Sequence, residues 1–185
     1  MSSDPKVSAV RGWGSTAAER AASYPSEQVL PDAVKSLHRG IDIDAPPEVV
    51  FRWLCQLRVA PYSYDALDNL GRRSPRKLTP GLEQLELGQK FMMIYELADF
   101  EPGRQITVAS KLFAGAFGQQ AITYSVTPRA GGGSRLVANR RLRPPRAPHG
   151  IMIKTNLPVI DLIMTRKQLR TIKKLAEKQA AGATG

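Results

Sequence analysis

The densest run of side chains able to do acid–base or hydrogen-bonding work is Tyr62-Ser63-Tyr64-Asp65, with Asp68, Asn69, Arg72 and Arg73 close behind. Tyrosine and aspartate at a cavity mouth can orient the polar end of a ligand, or act as acid and base on a carbonyl compound. The same residues also suit a plainer role, with Tyr62 and Tyr64 packing the loop while Asp and Asn cap its turns. A second set lies on strand-like sequence: Tyr95, Glu96, Lys111, Tyr124, Asn139 and Arg141 are polar or semi-polar among apolar neighbours. A buried polar atom needs a partner, so those facing inward would orient a ligand, and about half of the six are expected to face solvent. The acid–base candidates are Tyr64, Asp65 and Tyr124. The ligand-contact candidates are Tyr62, Tyr64, Asp68, Asn69, Tyr95, Tyr124 and Asn139.

Other chemistries find little support. His38 and His149 lie far apart in sequence without a nearby ligand set, so no metal is expected. Cys55, the single cysteine, sits beside Trp53 and Leu54 and reads as a small buried hydrophobe. One thiol rules out an internal disulfide and fits a reducing compartment. There is no nucleophile elbow, P-loop or dinucleotide fingerprint, and Gly131-Gly132-Gly133 reads as a hairpin turn; no cofactor is implied.

Charge is the unusual bulk property, with 27 Lys+Arg against 16 Asp+Glu giving a net +11. Such a balance favours anionic partners. Arg140, Arg141, Arg143 and Arg146 form a basic run, and Arg166, Arg170 and Lys173 lie on the basic side of a final helix. Together they could dock transiently on an anionic membrane, or be a solvated face. Nucleic acid fits less well, because no aromatics interleave the run for base stacking.

The elements that must position these groups follow from periodicity. Residues 1–33 read as a leader with one short helix, where Thr16-Ala17-Ala18-Glu19 has the form of a capping box. Leu37, Arg39, Ile41 and Ile43 alternate with Ser36, His38, Gly40 and Asp42 as in a strand. Pro46-Pro47-Glu48 then starts a helix with Val49, Val50, Trp53, Leu54 and Leu57 on one face. Residues 60–88 form a long connection. Strand-like runs follow over 90–100, 105–112, 119–127 and 135–142, with short breaks that argue for an antiparallel meander. A helix from about Leu157 to Ala180 ends the domain, with Pro158 in its first turn and Ile160, Ile163 and Met164 on its apolar side. A sheet with one apolar face needs a lid, and this helix is the element long enough to supply it. Residues 34–180 are thus read as one α+β domain of the helix-grip type, a curved antiparallel sheet wrapped around the long C-terminal helix with an internal cavity, and 181–185 as a disordered tail. The polar N-terminus lacks a secretory core and no stretch reaches the roughly 20 uncharged residues of a membrane span, so a soluble, cytoplasmic protein is expected.

The blocks Ile41-Asp42-Ile43-Asp44-Ala45-Pro46-Pro47-Glu48-Val49-Val50-Phe51-Arg52-Trp53-Leu54, Trp13 to Arg20 and Tyr62 to Asn69 resemble the START/Bet v1-like superfamily, in bacteria often labelled polyketide cyclase/dehydrase or SRPBCC proteins. The resemblance runs in order over most of the chain and implies that the leader packs on the domain. It also implies binding of a lipid, sterol, polyketide or hormone, or cyclisation or dehydration of one. It carries no shared catalytic signature, and fold alone supplies no function. The leading expectation is a binding protein for a small hydrophobic or amphipathic molecule, held by the strands, by Ile160, Ile163 and Met164, and by the 62–69 loop. The alternatives are a polyketide cyclase/dehydratase-type enzyme and a basic-surface membrane or nucleic-acid module.

Overall fold

The expected alternation makes strand β1, Lys35–Ile43, and Pro47 with Glu48 in the first turn opens helix α4, Pro47–Cys55. Four further strand-like runs give five strands. These are β2 (Lys90–Phe91), β3 (Tyr95–Glu101), β4 (Gln105–Ser110), β5 (Gln119–Pro128) and β6 (Ser134–Arg143). The run at 90–100 is not one strand, because Met92 and Met93 take left-handed backbone, φ 44° and 64°, and fold β2 back on β3. All pairings are antiparallel, in the order β1-β6-β5-β4-β3-β2. The computed structural model describes residues 5–65, 69–110, 118–145 and 149–182.

The final helix, α5, runs from His149 to Gly182. It begins before Leu157 and continues past Ala180, so Pro158 lies inside the helix and not in its first turn. Leu169, Ile172, Leu175 and Ala176 of α5 join Val50, Trp53, Leu54 and Leu57 in a core against the inner face of the sheet. Strand alternation brings Ile43, Phe91, Tyr95, Leu97, Ile106, Val108, Ile122, Tyr124, Val126, Leu136 and Ala138 into the same core. This is the helix-grip arrangement: a curved antiparallel sheet closed on one side by a long C-terminal helix. Among the described residues no helix is long and apolar enough to cross a membrane.

The leader holds three short helices where the sequence suggests one: α1 (Pro5–Gly12), α2 (Ala17–Ala21) and α3 (Pro25–Val29). The capping box is made, with Thr16 and Glu19 satisfying each other's backbone N–H. α1 lies against β1 and α5, and α3 covers the outer face of the sheet. There Ser26 donates from its backbone N–H to Thr123 Oγ1 at 3.0 Å and from its hydroxyl to Asn139 Oδ1 at 2.6 Å. Asn139 in turn contacts His38 Nε2 at 2.8 Å.

Candidate functional site

Asp161, Thr165 and Gln168 occupy i, i+4 and i+7 of α5, hence one stripe, and all three are buried against the inner face of the sheet. The strands present Arg39, Gln120, Tyr124 and Arg140 to that stripe. The register explains the grouping: Arg39 pairs with Ala138, which pairs with Tyr124, and Arg140 pairs with Ile122. Alternation therefore sends Arg140 inward and its neighbours Asn139 and Arg141 outward.

Asp161 lies between two guanidinium groups. Arg39 Nη2 is 2.8 Å from Oδ2 and Arg140 Nε is 2.6 Å from Oδ1, while the Thr165 hydroxyl donates to Oδ1 at 3.0 Å. Arg140 Nη1 donates to the Tyr95 hydroxyl at 2.9 Å and to Gln120 Oε1, which also accepts from the Tyr95 hydroxyl at 3.1 Å. Burial works against the charge on Arg140, but Tyr95, Asp161 and Tyr124 outweigh it, so its proton is held more tightly than in water. Arg39 shifts the other way, down, because its own burial outweighs Asp161. Both remain cations, since a guanidinium does not lose its proton in a protein. Beside this group the Tyr124 hydroxyl donates to Gln168 Oε1 at 2.8 Å, and Gln168 Nε2 donates to the Pro61 carbonyl at 2.7 Å. Burial pushes the Tyr124 phenol far up.

Of these groups Tyr95, Gln120, Arg140, Asp161, Thr165 and Gln168 floor a cavity of about 540 Å³, with Arg39 and Tyr124 behind them. Its walls are mostly apolar: Met92, Met93 and Ile94 from the β2–β3 turn, Leu157, Ile160 and Met164 from α5, with Pro61 and Leu70. Its polar lining is Ser63, Tyr95, Gln120, Arg140, Asp161, Thr165 and Gln168. The site therefore offers a solvent-open apolar pocket with one charged, donor-rich end.

The structure separates the residues singled out in the sequence. Tyr95, Ile160 and Met164 line the cavity. Tyr124 is buried behind it with its hydroxyl committed to Gln168. Tyr62 is buried in the core edge-on to Trp53, its burial raising the phenol to about 12. Tyr64 is exposed, and Asp65 accepts from the Ser74 backbone and hydroxyl, so it pins its own loop. Asn69 likewise donates to the Arg72 carbonyl. Asp68 and Lys111 fall outside the described residues. Ile163 is half-exposed and outside the cavity lining, because the buried stripe of α5 is Asp161, Thr165 and Gln168. Asn139 is not in the cavity; it lies on the outer face, held by Ser26 and His38. Cys55 is buried, and burial raises its thiol to about 12. Among the described residues no three His, Cys, Asp or Glu gather as a metal site.

The basic run is divided as well. Arg140 belongs to the cavity floor. Arg141 donates to the Leu30 and Pro31 carbonyls, and Arg143 pairs with Asp32 at 3.0 Å. Arg166 and Arg170 lie over the Trp13 ring at 5.4 and 5.8 Å, and Lys173 pairs with Glu177 at 2.5 Å. Arg146 lies outside the described residues.

Sequence reasoning missed Arg39, Gln120, Asp161, Thr165 and Gln168. One signal was available. A polar set at i, i+4 and i+7, continuing into Leu169, Ile172, Leu175 and Ala176, marks a buried face with a polar end.

No protein-family model and no curated protein matches the chain. Solved structures do resemble it. The aromatase/cyclase Zhui from Streptomyces sp. R1128 is 14% identical, over 82% of this chain and 98% of its own, with a TM-score of 0.56. A protein from Chromobacterium violaceum is 13% identical, over 77% of this chain and 98% of its own, with a TM-score of 0.51. At these identities the likeness is one of fold alone, the helix grip described above.

Proposed function

We propose that this chain binds a small amphipathic molecule, such as a lipid or a polyketide, in the cavity between α5 and the sheet. Its apolar body would lie along Met92, Ile94, Leu157, Ile160 and Met164, and its polar end would meet Arg140, Tyr95 and Gln120. One observation carries this reading: a cavity of about 540 Å³ combines an almost wholly apolar wall with a single charged end. Apolar enclosure gives affinity and a few convergent polar groups fix orientation. Native mass spectrometry of the protein purified from its own host, followed by organic extraction, tests it. One defined apolar or amphipathic molecule per chain is the expected result. A protein that carries none, and retains nothing from a host extract passed over it, overturns the reading.

A second reading is favoured by the carboxylate of Asp161 standing beside Arg140, which itself donates to the Tyr95 hydroxyl. Arg140 and Tyr95 could polarise a substrate carbonyl, and the structurally similar Zhui is an aromatase/cyclase. Tyr64 and Asp65 take no part in this version, being outside the cavity lining. A cyclised or dehydrated product from a poly-ketone substrate, lost in Arg140→Met, would support it.

A further inference from the structure

The charges at the cavity floor do not balance. Arg39 and Arg140 bring two positive charges to the single negative charge of Asp161, leaving one cation in excess. Asp161 is the only acid among the described lining residues. The two guanidinium groups are not equivalent. Arg39 is fully enclosed and backs the floor, where it also donates to the His38 and Pro158 carbonyls. Arg140 lines the cavity itself. Its Nε, although close to Asp161, is buried without an aligned hydrogen-bond acceptor. Its bonds to Tyr95 and Gln120 leave from Nη1, and Nη2 is in neither of them.

A partly buried cation in excess calls for an anion, because a charge out of water is costly until it is paired. A guanidinium answers best to a planar oxyanion, which it can grip with two parallel N–H donors. We infer that the molecule this cavity takes is a carboxylic acid, an amphipath whose apolar body ends in a carboxylate seated on Arg140. The inference rests on the binding reading above and narrows it to an acid. An alcohol, a sterol hydroxyl or an ester would leave the excess charge unmatched. A quaternary amine would add to it. A phosphate monoester, at close to two negative charges near neutral pH, would overshoot it.

The test uses probes that share one apolar body and differ in the head: dodecanoate, dodecanol, methyl dodecanoate and dodecyl phosphate. Each displaces a neutral environment-sensitive fluorophore from the full chain at about pH 7.5, where a carboxylic acid in water is ionised. Dodecanoate is expected to bind about tenfold or more tighter than the alcohol and the ester, and tighter than the phosphate. Equal affinity for acid, alcohol and ester overturns the acid inference and leaves the binding reading standing. A tighter phosphate overturns the carboxylate assignment. Failure of all four to displace the fluorophore brings down both readings. In Arg140→Met the floor becomes neutral, and the preference for the acid is expected to vanish while the alcohol still binds. Arg140→Lys keeps the charge and is expected to keep part of the preference. If Arg140→Met does not fold, the wild-type panel and Arg140→Lys decide the matter, and a preference that survives in a folded Arg140→Met protein overturns it.

Discussion

Asp161 is the residue on which the site's charge turns. It lies within ion-pair distance of two guanidinium groups and accepts a hydrogen bond from the Thr165 hydroxyl while 3% exposed, so removing its charge strands the enclosed Arg39 and the partly buried Arg140 without their shared anion. Breaking a buried pair by deleting one partner typically costs about 3–5 kcal/mol, since the survivor stays buried and unpaired. Asp161→Asn is therefore expected to lose about 3 kcal/mol or more in urea unfolding, whereas exposed Glu101, paired with Arg104 at the surface, should lose under about 1 kcal/mol on conversion to Gln. Equal losses for the two would mean that the Asp161 cluster is hydrated and not a closed site. This residue was hard to read from sequence. Between Ile160 and Ile163 it looks like a break in an apolar helix, and Arg140 looks like one member of a basic run. What separates Arg140 from Arg141 is the two-residue period of β6, which places them on opposite faces. That period was legible, but the sequence does not say which face is inner. The same period turns Asn139 to the outer face, where its partner Ser26 lies 113 positions away in sequence.

At the scale of elements, the leader is fastened to the edge of β1. Gly40 N–H donates to the Trp13 carbonyl at 3.0 Å, and Arg135 reaches from β6 to the Gly14 carbonyl and Glu19. The hydrogen bond from Arg135 holds the Glu19 carboxyl below its usual range. Gly14 has φ +67°, and a Cβ there would run into the Gly40 carbonyl. The contact covers part of a strand edge that would otherwise invite pairing with another chain. Gly14→Val should release the leader, at a cost of about 2 kcal/mol from the left-handed backbone together with the clash. Limited proteolysis within the first 24 residues and a red shift of Trp13 emission report the release. Gly81 also has positive φ but open space around it, so Gly81→Val bears the backbone strain and should leave the leader protected. Cleavage unchanged in Gly14→Val would show that this approach does not hold the leader. The succession from β1 to α4 and the meander could be read locally, because alternation and Pro47 act over a few residues. The start of α5 could not, since Pro158 looks like a first-turn residue and is an interior one. The break at Met92–Met93 carries no turn residue, and its Met92 N–H donates to the carbonyl of the distant Leu57.

Across the whole molecule, the net charge of +11 is partly spent on attaching the leader. On the outer face of β6, Arg135 pairs with Glu19 at 2.7 Å, Arg143 with Asp32 at 3.0 Å, and Arg141 approaches Glu27 at 3.9 Å. Two opposing salt effects follow. Ion pairs this near the surface contribute about 0.2–1 kcal/mol each and weaken as salt screens them. The uncompensated positive charge repels itself throughout the fold, and the same screening relieves that. A handful of weak pairs stands against a repulsion summed over the chain, so the repulsion should dominate global stability while the pairs dominate leader docking. Raising salt from about 0.05 to about 0.5 M, a change that shortens the screening length several-fold, is thus expected to raise the thermal midpoint and also to speed cleavage of the leader. Circular dichroism melts and timed proteolysis on the same samples check the two signs together. A midpoint that falls with salt would mean that the arginine–carboxylate pairs, and not the net charge, set the stability of the whole; an unchanged cleavage rate would mean that Trp13 and the Gly14–Gly40 approach hold the leader without them.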